Sequence, residues 1–66
     1  MQLKINGQSR SFAAPLNVAE LLAQLQLTPE RVVVELNRHI LTADNHSATT
    51  LQDGDCLELI QFVGGG

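Results

Sequence analysis

The 66-residue sequence has one cysteine, Cys56, so no disulfide can close within it, whereas a small secreted domain ordinarily needs several. It lacks a long apolar run as well. Nowhere do about 18 apolar residues follow one another, as a membrane span requires, and Met1-Gln2-Leu3-Lys4-Ile5-Asn6 is not the apolar stretch of a signal peptide. The expected location is the cytoplasm, with no membrane partner. Basic residues are scarce: Lys4, Arg10, Arg31 and Arg38 stand against seven acidic residues, for a formal net charge of −3. Nucleic-acid binding needs clustered Lys and Arg to displace counterions from phosphate, and that class is excluded. Residues 35–66 hold one basic residue against five acidic ones, which suits docking on a basic protein surface or a plain solvated face. His39 and His46 have no metal-ligand spacing around them and read as surface histidines, so no metal is expected. The neighbours of Cys56 are acidic, the opposite of the positive surroundings that activate a thiol, and it reads as structural.

What is present is one domain's worth of ordinary globular composition, 44% apolar and 17% charged, without repeats or an internal linker. So small a core leaves function to the surface or to an end of the chain. Met1, Leu3 and Ile5 alternate with Gln2, Lys4 and Asn6, the period-two pattern of a half-buried strand. Asn6-Gly7 is the strongest short hairpin signal, with Ser9 to Ala13 as the returning strand. Asn17 with Glu20 three residues later forms a capping box, and Leu16 with Leu21 a hydrophobic staple. Val18, Leu21, Leu22 and Leu25 then make one apolar face of a helix of about two turns. Pro29 excludes continuation of that helix. Val32 to Leu36 reads as a central third strand, Ile40-Leu41 as a minor one, and Thr42 to Thr50 as a loop with room for one helical turn. Asp53-Gly54 marks a turn before the last strand, Cys56 to Val63.

This order predicts an α+β fold in which one helix crosses one face of a mixed sheet of four to five strands, with the first and last strands paired in parallel at its centre. That arrangement is the ubiquitin-like β-grasp, here spanning residues 1–63 with a glycine tail at 64–66, although the same order also allows other small α+β layouts. In the last strand Leu57 and Leu59 share one parity, and Glu58, Ile60 and Phe62 the other. If the leucines face the helix, Ile60 and Phe62 either form a partner patch on the open face or, for Phe62, curl over the sheet edge onto the core. Gly64-Gly65-Gly66 has no side chains to pack, so it is expected to be a flexible thread of up to about 10 Å presenting the α-carboxyl of Gly66.

Taken together, the Asn6-Gly7 hairpin, Glu35-Leu36-Asn37, Asp53-Gly54-Asp55 and the Phe62-Val63-Gly64-Gly65-Gly66 finish resemble the ThiS family of sulfur carriers over the whole chain. Thr42-Ala43-Asp44-Asn45-His46 stands where that family often has a Pro-Arg pair and an aromatic residue. The resemblance implies a carrier rather than an enzyme. The Gly66 carboxylate would be adenylated with ATP by a ThiF-like adenylyltransferase and converted to a thiocarboxylate with sulfur from a cysteine desulfurase or persulfide donor. It would then give that sulfur to a ThiG-like thiazole synthase for the thiazole ring of thiamine. ATP would be consumed by the partner, with no cofactor bound to this chain and a monomer expected when free. Docking on the activating partner is expected from Ile60, Phe62 and Val63, with an acidic rim of Asp53, Asp55 and Glu58. A molybdopterin synthase small subunit, a ubiquitin-like protein modifier and a plain interaction module are the alternatives.

Overall fold

Asn6 and Gly7, with φ of 50° and 84°, turn β1 (Gln2–Ile5) back into β2 (Gln8–Ser11) through the two-residue loop whose twist matches an antiparallel hairpin. The computed structural model describes residues 1–62; Val63 and the glycines at 64–66 lie outside the described residues. Helix α1 (Val18–Gln24) begins as expected. Asn17 Oδ1 accepts from the Glu20 amide at 2.7 Å, and Glu20 Oε1 accepts from the Asn17 amide at 2.9 Å, so both halves of the capping box are closed. The helix stops before Pro29 can act on it. Gln26 adopts a φ of 59°, its amide donates to the Ala23 carbonyl at 3.1 Å, and the Leu27 amide donates to the Leu22 carbonyl at 2.8 Å. This is a Schellman ending with Gln in the position glycine usually takes.

Strands β3 (Val32–Leu36), β4 (His39–Leu41) and β5 (Cys56–Gln61) complete a five-stranded mixed sheet in the order β2-β1-β5-β3-β4. β5 lies at its centre, parallel to β1 and antiparallel to β3, which is the expected β-grasp arrangement. β3 has neighbours on both sides, as its run of valines requires. Within the described residues β5 ends at Gln61 instead of reaching Val63. The core lies between the sheet and α1, where Leu3, Val34, Leu57 and Leu59 meet Val18, Leu21 and Leu22. Among the described residues no helix is long and apolar enough to cross a membrane.

Two asparagines hold β5 from opposite sides. Past the end of β1, Asn6 Nδ2 donates to the Leu59 carbonyl at 3.2 Å and its Oδ1 accepts from the Leu59 amide at 2.8 Å, so a side chain continues the ladder after the backbone turns away. On the other side Asn37 Oδ1 accepts from the Cys56 amide at 3.0 Å, while its own amide donates to the Cys56 carbonyl at 2.8 Å. Asn37 also sits at a φ of 50°, at the first position of the β3–β4 turn. Asparagine suits both places because it tolerates left-handed backbone and carries a donor and an acceptor together.

Two expectations are corrected. His46 is not a surface residue: it is 3% exposed, and neither ring nitrogen has a hydrogen-bond partner among the described residues. The cause is the 42–50 segment, which lies against the start of α1 and turns His46 inward while most of its other residues stay exposed. Val18 and Ala19 amides donate to the Thr49 and His46 carbonyls at 3.1 and 3.3 Å, and Ala43–Asn45 forms the single helical turn. Cys56, expected as a structural thiol, is exposed at the head of β5 because its parity is opposite to that of Leu57.

Two outcomes follow for stability. Asn6→Ala strands both partly buried backbone groups of Leu59 and puts alanine, which lacks asparagine's tolerance of left-handed backbone, at positive φ, so chemical denaturation should show a loss of roughly 2–4 kcal/mol. His46→Leu replaces unpartnered polar atoms with apolar ones of similar bulk and should stabilise by about 1–2 kcal/mol, read as a higher Tm; a lower Tm would mean that the imidazole is needed.

Candidate functional site

The face of the sheet away from α1 is built by strand parity. With Leu57 and Leu59 turned to the core, β5 presents Cys56, Glu58 and Ile60 on the other side, and Phe62 follows in the same phase. Register adds residues from the neighbouring strands, since Cα partners share a face. Ile60 pairs with Val33, Glu58 with Glu35, Glu35 in turn with Ile40, and Cys56 with Lys4. Ile40, Ile60 and Phe62 are 69%, 53% and 59% exposed, the large hydrophobic side chains left in solvent among the described residues. Phe62 therefore does not fold over the sheet edge onto the core, although its amide still donates to the Arg31 carbonyl at 2.7 Å.

Across the middle of this face two carboxylates oppose each other. Like charges directly across a strand pair are unfavourable, so Glu35 and Glu58 oppose folding where a neutral pair would not. A cavity of about 360 Å³ opens beside them, lined by Lys4, Gly7, Glu35, Arg38, Cys56, Leu57 and Glu58. Among the described residues no three His, Cys, Asp or Glu side chains are grouped to hold a metal ion.

The residues singled out in the sequence do not all meet. Ile60, Phe62 and Glu58 share the open face. Asp53 and Asp55 lie before the other end of β5, separated from Phe62 by about 20 Å of strand at 3.3 Å per residue. Three of their four oxygens accept hydrogen bonds within the fold: Asp53 Oδ1 accepts from the Gln2 amide at 2.7 Å, Asp55 Oδ2 from the Gln52 amide at 2.8 Å, and Asp55 Oδ1 from Asn37 Nδ2 at 3.1 Å. Val63 and the glycines 64–66, including the expected modified residue Gly66, lie outside the described residues. The sequence reading missed Val33, Glu35, Ile40 and the cations Lys4 and Arg38. Parity within Val32–Leu36 carried the signal for the first two, but the partner register that joins them to β5 is not local to either strand.

The ThiS family model matches residues 3–66, which includes every residue of the fold just described from Leu3 onward. The chain belongs to the ThiS family. Among its relatives, the sulfur carrier protein ThiS of Bacillus subtilis is 34% identical over 65 residues, covering 97% of this chain and 98% of that protein. A thiazole synthase of Paramagnetospirillum magneticum is 39% identical over 66 residues, all of this chain but only 20% of that protein. The chain thus spans about a fifth of the length of the first curated relatives it matches. The crystal structure of a thiamine biosynthesis protein, ThiS, from Geobacter metallireducens superposes with a TM-score of 0.85 at 43% identity, covering all of both chains.

The Glu35–Glu58 pair gives this family member a measurable signature. Glu58→Gln should raise stability by up to about 1 kcal/mol at low ionic strength, and the gain should fade in roughly 1 M salt, where screening acts over about 3 Å. Thermal denaturation at both salt concentrations checks it, and an equal gain at both would point away from charge.

Proposed function

We propose that this chain is a sulfur carrier of thiamine biosynthesis, whose Gly66 carboxylate is adenylated and then converted to a thiocarboxylate that gives its sulfur to thiazole formation. The observation that carries the reading is the family match running through residue 66, with a named sulfur carrier aligned along nearly all of both chains. A terminal carboxyl has a pKa of about 3.3–3.7, so near neutrality it is an anion and a poor electrophile. Activation must come first. An oxygen of the carboxylate attacks the α-phosphorus of ATP and pyrophosphate leaves; sulfide then adds to the acyl carbon and AMP departs with the electron pair of the broken C–O bond. A persulfide instead adds to give an acyl disulfide, from which a second thiol attacks the donor's sulfur, leaves as a disulfide with it and releases the thiocarboxylate. One hard substitution becomes two easier ones.

In this reading the chain is a co-substrate and its partners supply catalysis. A ThiF-like adenylyltransferase holds the ATP, and a cysteine desulfurase or persulfide donor provides the sulfur. A ThiG-like thiazole synthase receives it; support comes from thiazole synthases containing a stretch that the whole of this chain matches. The open sheet face serves docking, with Ile60 and Phe62 as apolar anchors, Val33 and Ile40 beside them, and Glu58 with Glu35 as the acidic element. Asp53 and Asp55, which also tie the turn before β5 into the sheet, form the acidic rim at the far end of that strand. Phe62 stands four residues before Gly66, so the docking face and the reacting group lie within about 14 Å of chain.

Incubation with a ThiF-like adenylyltransferase, ATP and sulfide should raise the intact mass by about 16 Da, the exchange of one carboxyl oxygen for sulfur. A chain lacking Gly66 should show no gain, and Phe62→Asp should raise KM for the adenylyltransferase. An unchanged mass for the intact chain would contradict the reading.

A further inference from the structure

The two hairpin turns of the sheet are built alike except at one position. Each begins with asparagine at a φ of 50°; the second residue is Gly7 at 84° in the first turn and Arg38 at 73° in the other. A Cβ at Gly7 would meet nothing within 4 Å, so what favours glycine at this place in the turn is backbone conformation, not space. Arg38 therefore occupies a left-handed position against the preference of its own backbone. Gln26 is left-handed too, but there the conformation closes the end of α1; at Arg38 the matching turn shows that glycine would serve the backbone better.

The surroundings supply a reason for the arginine. The Asn37 side chain fastens the turn to the start of β5 through Cys56 and Asp55, so Arg38 is carried on a fixed support. Arg38 and Lys4, two of the four basic residues in the chain, line the cavity on the open face with Glu35 and Glu58. Among the described residues no ion pair joins either cation to either glutamate. The guanidinium is a rigid fork that pairs bidentately with carboxylates, and here it stands beside an acidic pair that repels any carboxylate placed out of register.

The geometry points to Arg38 as a partner-recognition residue. It receives a carboxylate side chain of the adenylating enzyme, whose matching surface carries a basic group over Glu35 and Glu58 and an apolar side chain against Ile60. This inference rests on the docking role proposed for the open face. Charges of both signs at fixed places on such a face set orientation and exclude wrong partners, in addition to adding affinity.

ATP–pyrophosphate exchange by the ThiF-like adenylyltransferase, with the intact chain as co-substrate, tests it alongside thermal denaturation. Arg38→Gly should raise Tm by roughly 3–8 °C, because the strained residue is gone. The same variant should raise KM about three- to tenfold at unchanged kcat, and the salt dependence of KM should weaken. Arg38→Lys, which keeps the charge but loses the fork, should fall between the two. An Arg38→Gly variant with wild-type KM would overturn the proposal, as would a defect confined to kcat. If the wild-type chain itself supported no exchange, the carrier reading would fall and this inference with it, an outcome distinct from normal exchange that ignores residue 38.

Discussion

The position of β5 at the centre of the sheet is the constraint on which the other features depend. It is held by parallel pairing to β1, antiparallel pairing to β3, and two asparagine side chains that bind its backbone where the neighbouring strands turn away. Leu57 and Leu59 bury one face of the strand under α1 and thereby fix the phase of Glu58, Ile60 and Phe62 on the other. A one-residue slip would exchange those two sets, so the core and the proposed docking face are specified by the same register. The strand that anchors the fold is also the one that leads toward Gly66.

The open face carries several arrangements that a chain selected for stability alone would avoid. Two glutamates face each other across strands, three large hydrophobic side chains remain in solvent, and an arginine holds a glycine-like backbone conformation. Each opposes folding by a modest amount, and all lie on the side that α1 does not cover. On the helix side the capping box closes, the leucines are buried and the chain reverses after Leu25 through a recognised ending, although Gln26 there is also left-handed and His46 is buried with no hydrogen-bond partner for its ring among the described residues. Charge repulsion and exposed apolar side chains together on the open face are what a binding role leaves behind.

Much of this was legible in the sequence because its signals are local. Asn6-Gly7, the Asn17–Glu20 box, the valine run of β3 and the alternation in β5 each specify an element within a few residues. The order of those elements then leaves few topologies. What escaped depends on contacts distant along the chain. His46 is buried because the 42–50 segment packs on the start of α1, more than twenty residues earlier, and a polar stretch gives no notice of that. The hydrogen bonds of Asp53 and Asp55 are equally hidden, because their partners Gln2 and Asn37 become neighbours only when β5 enters the sheet. Helix termination at Gln26 was hidden because a glutamine stands where glycine would have announced it. The pairing of Glu35 with Glu58 likewise required the register of β3 on β5.

In the proposed carrier role, the folded surface supplies the binding which a bare glycine thread cannot. Ordering three glycines costs about 3–6 kcal/mol of backbone entropy with no side-chain contacts to offset it. The most direct measurement compares kcat/KM for adenylation of the intact chain with that of a synthetic peptide spanning residues 60–66. The account predicts that the peptide is worse by at least roughly a hundredfold, each tenfold corresponding to about 1.4 kcal/mol. Comparable values for the two would contradict it.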